Sequence, residues 1–287
     1  MIKNGFGTIL LFSLSFSDAI ARRILSLPFA GYDEDARVQV GFQYNYTNQK
    51  YQIVLNNNWL DIALKIPMED NAFFSSSFES AVFNQDVRAV YSFPSQGFSF
   101  GIPIDVKWRE RMALNFTPSF TIFNAHRIIY SSSDQNTPGI IRKSKHTFQD
   151  DKGDNFNSFE FPIALKLFSD NKKLASPDTH YRGYILGGVH LTRWAGIQRH
   201  YDKLKLNIAA GQSVPESIIL RPEYISLEGG VGFDIITSYF KVSPEVRFSQ
   251  SVRNILNNNS LLALNNTYMA PINKTYIRNI YFTLIYQ

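Results

Sequence analysis

Apolar and polar residues alternate along the last stretch of the chain. Ile280, Phe282 and Leu284 share one side of an extended chain. Asn279 and Thr283 fall on the other side. A repeat of two residues is that of a β-strand with one apolar face. The chain therefore ends on a predicted strand, as a closed barrel requires for its last seam.

Seven earlier segments repeat this alternation. They are residues 37–47, 98–108, 113–123, 159–167, 181–193, 224–235 and 240–249. Strands of globular proteins usually have about five or six residues, whereas a tilted membrane strand needs about nine to eleven. The pattern predicts an all-β fold: an eight-stranded antiparallel transmembrane β-barrel of an outer membrane.

The predicted connections alternate between long and short. Long ones follow the odd-numbered strands, at residues 49–96, 124–157, 194–221 and 253–266. Outer-membrane barrels have long extracellular loops and short periplasmic turns, which places both chain ends in the periplasm. The pieces of the 49–96 insertion are predicted to extend strands or to form a hairpin above the membrane.

The alternation also predicts which face of each strand meets lipid. A Lys or Arg that faces lipid at mid-depth costs about 2–4 kcal/mol, and the apolar faces contain neither residue. The predicted inward acids are Asp105, Glu160, Glu228, Asp234 and Glu245, and the predicted inward bases are Arg37, Lys107, Lys166, Arg182, Lys241 and Arg247. Since eight strands leave room only for side chains, we expect an interior plugged by ion pairs.

Four prolines fall inside the predicted strands: Pro103, Pro118, Pro162 and Pro244. Each removes a backbone donor from the ladder of hydrogen bonds, so prolines in sheets are normally confined to edges and bulges. We therefore expect a bulge or a local break at several of them.

The N-terminal residues are typical of an export signal. An apolar run at 6–16 follows Lys3, and the small residues Ala19 and Ala21 come after it. This order predicts a signal peptide at 1–21, with a short buried helix as the alternative. A periplasmic linker at 22–36 and a barrel domain at 37–287 would follow. No apolar run reaches the roughly eighteen residues that a membrane-spanning helix needs.

Composition supports interleaved strands. Aromatic residues make up 15% of the 287 positions, with 24 Phe and 15 Tyr, yet the mean hydropathy is -0.17. Cysteine is absent, which excludes disulfides, thiolate metal sites and a lipid-bearing cysteine. The net charge of +5 is scattered, so no nucleic-acid partner is predicted. It suits the phosphates of outer-membrane lipid and lipopolysaccharide, or a generally solvated surface.

Motifs for catalysis or metal binding are weak. The five histidines, His126, His146, His180, His190 and His200, lack the helical i, i+4 spacing of a zinc site. His190 is predicted to face the lumen within a polar network. Ser213 lies outside any G-x-S-x-G elbow. The acidic run at 150–154 favours a solvated loop over a weak calcium site.

The predicted chain is thus not an enzyme and has no catalytic, cofactor-binding or metal residue. The carboxylates Glu160, Glu228 and Glu245 could be read as an acid–base site, but fixed ion pairs in a narrow barrel are the simpler account. Trp108, Trp194 and Tyr286 fall near predicted strand ends. They are predicted to form aromatic girdles at the membrane interfaces.

Two runs of residues resemble a known family. One is Leu27-Pro28-Phe29 followed by Tyr32-Asp33. The other is Asn265-Asn266-Thr267-Tyr268-Met269-Ala270-Pro271-Ile272 leading into Arg278-Asn279-Ile280-Tyr281-Phe282-Thr283-Leu284. Both runs resemble the corresponding runs of the PorT/SprT family. Members of that family are outer-membrane β-barrel proteins of the type IX secretion and gliding-motility system of Bacteroidota. The resemblance implies a non-enzymatic barrel that is needed for protein export and acts with other secretion components as a scaffold or accessory.

Two other functions fit parts of the pattern. An outer-membrane barrel enzyme, a protease or a lipid-modifying hydrolase, would need a nucleophile and a base at the rim or on the lipid-facing wall. A soluble lipocalin-like carrier would need the reverse orientation, with polar side chains outward. The membrane-length strands argue against the soluble carrier and favour an integral barrel in the cell outer membrane.

Overall fold

The computed structural model describes part of the chain. The described residues are 25–28, 32–60, 89–123, 127–131, 143–146, 156–173, 179–211, 218–264, 266 and 268–287. The predicted signal peptide, 1–21, lies outside them.

The described elements are almost all strands. In chain order they are β1 (Leu25–Ser26), β2 (Val38–Val40), β3 (Phe42–Leu55), β4 (Ala89–Ser92), β5 (Ser95–Gly101), β6 (Ile104–Arg109), β7 (Met112–Phe116), β8 (Ser119–Phe123), β9 (Arg127–Ser131), β10 (Lys143–His146), β11 (Phe156–Phe168), β12 (Lys172–Lys173), β13 (His180–Trp194), the helix α1 (Ile197–Ala209), β14 (Glu223–Ile236), β15 (Lys241–Ser251), a 3-10 helix (Leu261–Ala263) and β16 (Ile272–Tyr286). The predicted all-β class is confirmed.

The strand pairings trace a ring. In order around it, β3, β5, β8, β11, β13, β14, β15 and β16 pair antiparallel with their neighbours. The last strand, β16, then pairs with the first long strand, β3, from Phe42 opposite Tyr286 to Leu55 opposite Ile272. Towards the short turns, β2, β6 and β7 continue β3, β5 and β8. Each of the eight predicted segments coincides with a strand or strand pair of this ring.

Two of the four prolines interrupt strands, as expected. Pro103 separates β5 from β6, and Pro118 separates β7 from β8. Pro162 lies within the unbroken strand β11. Its carbonyl accepts a hydrogen bond from the amide of Thr117 at 3.2 Å, so its missing donor falls beside the gap in the neighbouring strand.

The fourth proline, Pro244, lies within the continuous strand β15. The pairing of β14 with β15 passes from Gly232 opposite Glu245 to Ile235 opposite Val242 and skips the positions between. The break is thus in the ladder on one side of the strand, while β16 still pairs with Pro244 through Leu284.

Apolar side chains cover the outside of the ring, and charged ones lie within it. Phe100 is 59% exposed and Phe282 is 51% exposed. In contrast, Glu160 and Arg247 are 2% and 3% exposed. The predicted orientation of the strands is confirmed, and it is the reverse of the one that a lipocalin-like carrier requires.

The long-loop end contains more structure than the sequence pattern predicts. The predicted loop at 124–157 contains β9 and β10, and β9 also pairs with β4 to give a three-stranded sheet. The predicted loop at 194–221 contains α1. In the 49–96 insertion, residues up to Leu55 extend β3, as one of the two expectations for it stated.

The helix α1 is amphipathic. Its buried residues, Ile197, Tyr201 and Leu204, recur at the spacing of one helical face. The helix begins after Gly196, whose φ of 78° favours glycine, and Gly211 has the same left-handed conformation just past its end. Among the described residues, no helix has both the length and the apolar character needed to cross a membrane.

Both ends of the described chain lie at the short-turn end of the ring. The amide of Tyr32 donates to the carbonyl of Tyr239 in the 237–240 turn at 3.2 Å. Strand β1 pairs parallel with β2. At the other terminus, Gln287 exchanges two backbone hydrogen bonds with Lys241, at 2.8 and 2.9 Å. The described residues of the predicted linker therefore contact the short-turn end of the barrel.

Candidate functional site

The middle of the lumen contains a network of buried ion pairs. Nζ of Lys166 lies 3.4 Å from Oδ2 of Asp105 and 3.0 Å from Oε1 of Glu245. Nζ of Lys241 lies 3.8 Å from the same Asp105 oxygen and donates to Oε1 of Gln39 at 2.8 Å. These groups come from β2, β6, β11 and β15, so the network connects strands on different sides of the ring.

A second part of the network centres on Glu245. Arg247 donates from Nη2 to Oε2 of Glu245 at 2.5 Å. The hydroxyl of Tyr184 donates to Oε1 of Glu245, also at 2.5 Å. The space for these large side chains comes from Gly232, where an added Cβ would lie 2.6 Å from the Tyr184 hydroxyl and 2.8 Å from Cγ of Glu245. A glycine at that inward position of β14 therefore makes the cluster possible.

His190 lies between two carboxylates. Its Nε2 is 3.1 Å from Oε2 of Glu160, and its Nδ1 is 3.1 Å from Oε2 of Glu228. The imidazole stacks on the ring of Tyr281 at a centroid distance of 5.6 Å. The prediction that His190 belongs to the internal polar network is confirmed. Because a carboxylate faces each ring nitrogen, neither nitrogen is directed at a hydroxyl that it could activate.

The network is closed towards the short turns by the N-terminal segment. Nε of Arg182 lies 2.9 Å from Oδ2 of Asp234, and its Nη1 is 3.9 Å from Oε1 of Glu34. Glu34 also faces Nε2 of His180 at 2.9 Å and accepts from Asn171 at 3.0 Å. The described residues 32–36 therefore cover the mouth of the barrel through charged contacts.

The predicted lumen residues need two corrections. Arg37 is exposed, and Lys107 is only partly buried. Arg37 precedes the first described residue of β2, and Lys107 is near the end of β6, so both lie at the mouth of the ring. We use the name charged interior for the residues Asp105, Glu160, Lys166, Arg182, His190, Glu228, Asp234, Lys241, Glu245 and Arg247, all 7% exposed or less.

The charged interior is close to electrical balance. It contains five carboxylates and four Lys or Arg side chains. If His190 is counted as a cation, acids and bases balance at five each. A balanced set of buried ions fixes relative positions and does not attract ligands of one sign. This arrangement serves to hold the wall of the barrel together.

Above the charged interior, at the long-loop end, lies an apolar cluster that we call the apolar cap. Its buried members are Tyr51, Phe123, Ile128, Tyr130, Trp194, Ile197, Tyr201, Leu204, Ile218, Ile219, Leu220, Tyr224, Ile255, Leu256, Tyr268, Met269, Ile272 and Ile277. They come from strand ends, α1, β9 and the loops. Side chains of the loops therefore fill the upper end of the ring.

Hydrogen bonds tie the polar atoms of the apolar cap to its backbone. The hydroxyl of Tyr130 donates to the carbonyl of Tyr268. The hydroxyl of Tyr201 accepts from the amide of Leu220 at 2.8 Å. Burial raises the pKa of Tyr201 well above its ordinary value, because the phenolate would lose its hydration. Both residues sit in the cap as neutral groups.

The predicted role of Trp194 in an aromatic girdle is wrong, because Trp194 belongs to the apolar cap. Trp194 is 3% exposed and packs on Phe123 and Tyr224, at centroid distances of 6.4 and 5.9 Å. It shares the inward face of β13 with His190 and Thr192, and alternation continues to the end of the strand. Trp108, in contrast, is 71% exposed at the short-turn end.

Of the remaining candidate residues, only some are described by the structure. His200 lies on α1 and packs on Tyr201. The side chains of His126 and His146, the acidic run at 150–154 and Ser213 lie outside the described residues. In the part of the chain that the structure describes, no three His, Asp or Glu side chains are arranged to hold a metal ion.

Two cations on the outer wall were not singled out from the sequence. Lys50 and Arg278 are exposed and lie directly opposite each other on β3 and β16. The alternation could have identified both. Each occupies an outward-facing position on the long-loop side of the apolar residues of its strand, after Tyr46 on β3 and before Ile280 on β16.

Comparison with known proteins gives distant structural matches only. No family model and no curated protein matches the chain. Among solved structures, Neisserial surface protein A is 9% identical, with 86% of this chain and 95% of that chain covered and a TM-score of 0.32. Ail, the attachment invasion locus protein of Yersinia pestis, is 8% identical in a complex with the heparin analogue sucrose octasulfate and in a second structure, with TM-scores of 0.29 and 0.28. In both Ail matches 86% of this chain and 96% of that chain are covered. At these scores the fold assignment rests on the strand pairing described above.

Proposed function

We propose that this chain is an integral outer-membrane β-barrel protein with eight membrane-spanning strands. The observation that carries the proposal is the contrast between its two faces. Side chains such as Phe100 and Phe282 cover an outer wall, whereas ten ionisable side chains are sealed in the charged interior. Water would favour the reverse arrangement, since large contiguous apolar patches are rare on soluble monomers. Hydrocarbon favours this one.

The polarity of the two ends supports an orientation in the membrane. The short turns, both described chain ends and the contacts of residues 32–36 lie at one end. The long connections and the apolar cap lie at the other. In bacterial outer-membrane barrels the short turns are periplasmic. We therefore place both chain ends in the periplasm, after export through the predicted signal peptide.

Within this location we propose a non-enzymatic role in type IX protein secretion. The support is the resemblance of the two terminal runs to the PorT/SprT family. The second run includes Tyr268, Met269 and Ile272, which belong to the apolar cap. A scaffold or accessory component would contact other secretion proteins through the long loops that this cap organises.

Two experiments test the two levels of the proposal. Fractionation of cells should recover the chain in the outer membrane, released by detergent and not by salt. Recovery without detergent would overturn the barrel proposal. Deletion of the gene in its own host should leave cargo proteins inside the cell, and normal secretion would overturn the secretion role while leaving the barrel intact. Cleavage of peptides or lipids by the purified protein would favour the enzymatic alternative.

A further inference from the structure

The seam between the first and last long strands presents two like charges side by side. Lys50 of β3 and Arg278 of β16 are directly opposite partners in the antiparallel pairing, and both are exposed on the outer wall. Like charges in this relation destabilise a sheet, whereas opposite charges stabilise it. The pair therefore has a cost that an anion between the two side chains would remove.

The described surroundings of this pair offer hydrogen-bond acceptors but no negative charge. Arg278 donates from Nε to Oε1 of Gln250 at 3.2 Å and from Nη2 to Oε1 of Gln52 at 2.8 Å. Both acceptors are neutral amides. Among the described residues, no salt bridge joins Lys50 or Arg278 to an acid. As far as the described residues go, the positive charge of both groups is thus left for a ligand.

Another exposed arginine at the same end of the ring shows the usual arrangement. Arg193, at the upper end of β13, lies directly opposite Glu223 of β14. Both are exposed on the outer wall. An acid of the neighbouring strand faces the cation there, whereas the described strands beside Lys50 and Arg278 place none opposite them. The difference is a property of the β3–β16 seam and not of the level in the barrel.

The position of the pair matches the boundary of the outer leaflet. On β16 the outward residues below Arg278 are Ile280, Phe282 and Leu284, all exposed and apolar. The guanidinium lies over the ring of Phe248, 5.9 Å from its centroid. A long cationic side chain that packs its stem on apolar surface and directs its head to the interface is typical of this depth.

A groove at this place has room for more than an ion. Its volume is about 280 Å³, and it is lined by Lys50, Gln52, Tyr91, Ser92 and Arg278 together with neighbouring residues. The two cations supply charge-assisted donors for phosphate oxygens. Tyr91 of β4 supplies an aromatic ring, which suits packing against a sugar ring next to a phosphate.

We infer that the β3–β16 seam binds a phosphorylated glycolipid of the outer leaflet, with its phosphate between Lys50 and Arg278 and its sugar in the groove beside β4. The inference rests on the proposed outer-membrane location. It names a specific lipid site on the wall, separate from the loops that would contact secretion proteins.

The test measures binding of purified lipid A to the full chain in detergent by native mass spectrometry. The variants are Lys50→Gln and Arg278→Gln, with Arg193→Gln as the matched control because it removes an exposed arginine from the same end. Each seam variant should weaken binding of lipid A by about tenfold, as expected for the loss of one charge-assisted contact. The control should stay within about twofold of the parent chain.

Three further ligands distinguish the source of the phosphate: dephosphorylated lipid A, phosphatidylglycerol and inorganic phosphate. Dephosphorylated lipid A should bind the parent chain at least about tenfold more weakly, because the contacts to phosphate are lost. Binding of phosphatidylglycerol as tight as that of lipid A, or displacement of lipid A by an equimolar amount of inorganic phosphate, would overturn the inference of a glycolipid site.

The outcomes separate this inference from the proposed function. Circular dichroism and the heat-dependent shift in gel mobility should show that each variant remains folded. If the folded seam variants bind lipid A as the control does, the lipid site is refuted while the outer-membrane barrel stands. If cells release the parent chain without detergent, both proposals fall.

Discussion

The two parts of the barrel interior differ in the polarity of their side chains: one is charged and the other is apolar. Between the short turns and the apolar cap, the charged interior joins strands through ion pairs such as Lys166 with Asp105 and Glu245. Under the long loops, the apolar cap joins strand ends to α1 and the loops through side chains such as Ile219 and Leu256. Buried ion pairs often add little net stability but penalise misplacement strongly, whereas apolar burial stabilises in proportion to area.

This difference shows which interactions stabilise the strands and which stabilise the loops. In the proposed outer-membrane location the wall would have lipid on its outer side, while the charged side chains on its inner side contact one another. The loops would meet water there, so they need an apolar cluster of their own, like the core of a soluble domain. Substitutions in the charged interior and in the apolar cap test this division.

The largest effect is expected in the charged interior, from Glu245→Leu. This change leaves Arg247 and Lys166 without the carboxylate that lies 2.5 and 3.0 Å away. Removal of one partner of a buried ion pair costs about 3–5 kcal/mol. Lys166 keeps Asp105 at 3.4 Å and Arg247 keeps Glu228 at 3.5 Å, but the charged interior is left with one buried positive charge in excess. Urea unfolding in lipid vesicles, followed by tryptophan fluorescence, measures the loss. A loss under about 1 kcal/mol would show that water reaches these charges and would contradict the sealed interior.

A somewhat smaller effect is expected in the apolar cap, from Leu256→Ala. Truncation of a fully buried leucine costs about 2–5 kcal/mol through lost contacts and the cavity left behind. Limited proteolysis should cut the long loops faster while the barrel strands stay resistant. The control is Leu264→Ala, since Leu264 is 64% exposed and should change neither rate. Equal loosening of the strands would contradict the division into two parts.

A third effect is expected where the apolar cap contains a polar contact, from Tyr130→Phe. The variant removes the donor to the carbonyl of Tyr268 and keeps the ring. A buried carbonyl left without its donor costs about 1–3 kcal/mol. Hydrogen exchange or proteolysis of the loops measures the change. An unchanged opening rate would mean that water replaces the hydroxyl.

The smallest effect is expected from Arg111→Gln, outside both parts. Arg111 pairs with Asp170 between short turns, and the two side chains are 68% and 71% exposed. Exposed ion pairs contribute about 0–1 kcal/mol, and 1 M salt should remove even this. The same urea unfolding experiment measures the variant. A loss as large as that of Glu245→Leu would remove the distinction between buried and exposed charge.

The wall and the charged interior could be predicted from alternation, but the apolar cap could not. Alternation reports the face of a strand because successive side chains point to opposite sides of the sheet, and here one side is apolar and the other polar. The pattern in α1 is that of a 3.6-residue helix over Ile197, Tyr201 and Leu204. These apolar residues are separated by polar residues such as Arg199 and Lys203, which are also typical of a loop. The partners of α1 come from distant parts of the chain, and no local window contains them.

The errors at the edges have a related cause. Alternation assigned Arg37 and Lys107 to the inward face, but it does not report how far along the lumen a residue lies. At the mouth of the ring an inward position is open to water. For Trp194 the face was the informative feature and the nearness to a strand end was not, because loop residues cover that end of β13.

The pairing of β3 with β16 has a consequence for biogenesis. The ring closes only when the C-terminal strand reaches a partner made more than two hundred positions earlier in the chain. Until then β3 presents an unsatisfied edge, and such edges recruit foreign strands. Contacts of such long range are also slow to form. The unfolded chain must therefore be protected from aggregation until its C-terminal strand is available. Closure of the ring cannot take place before that strand has arrived.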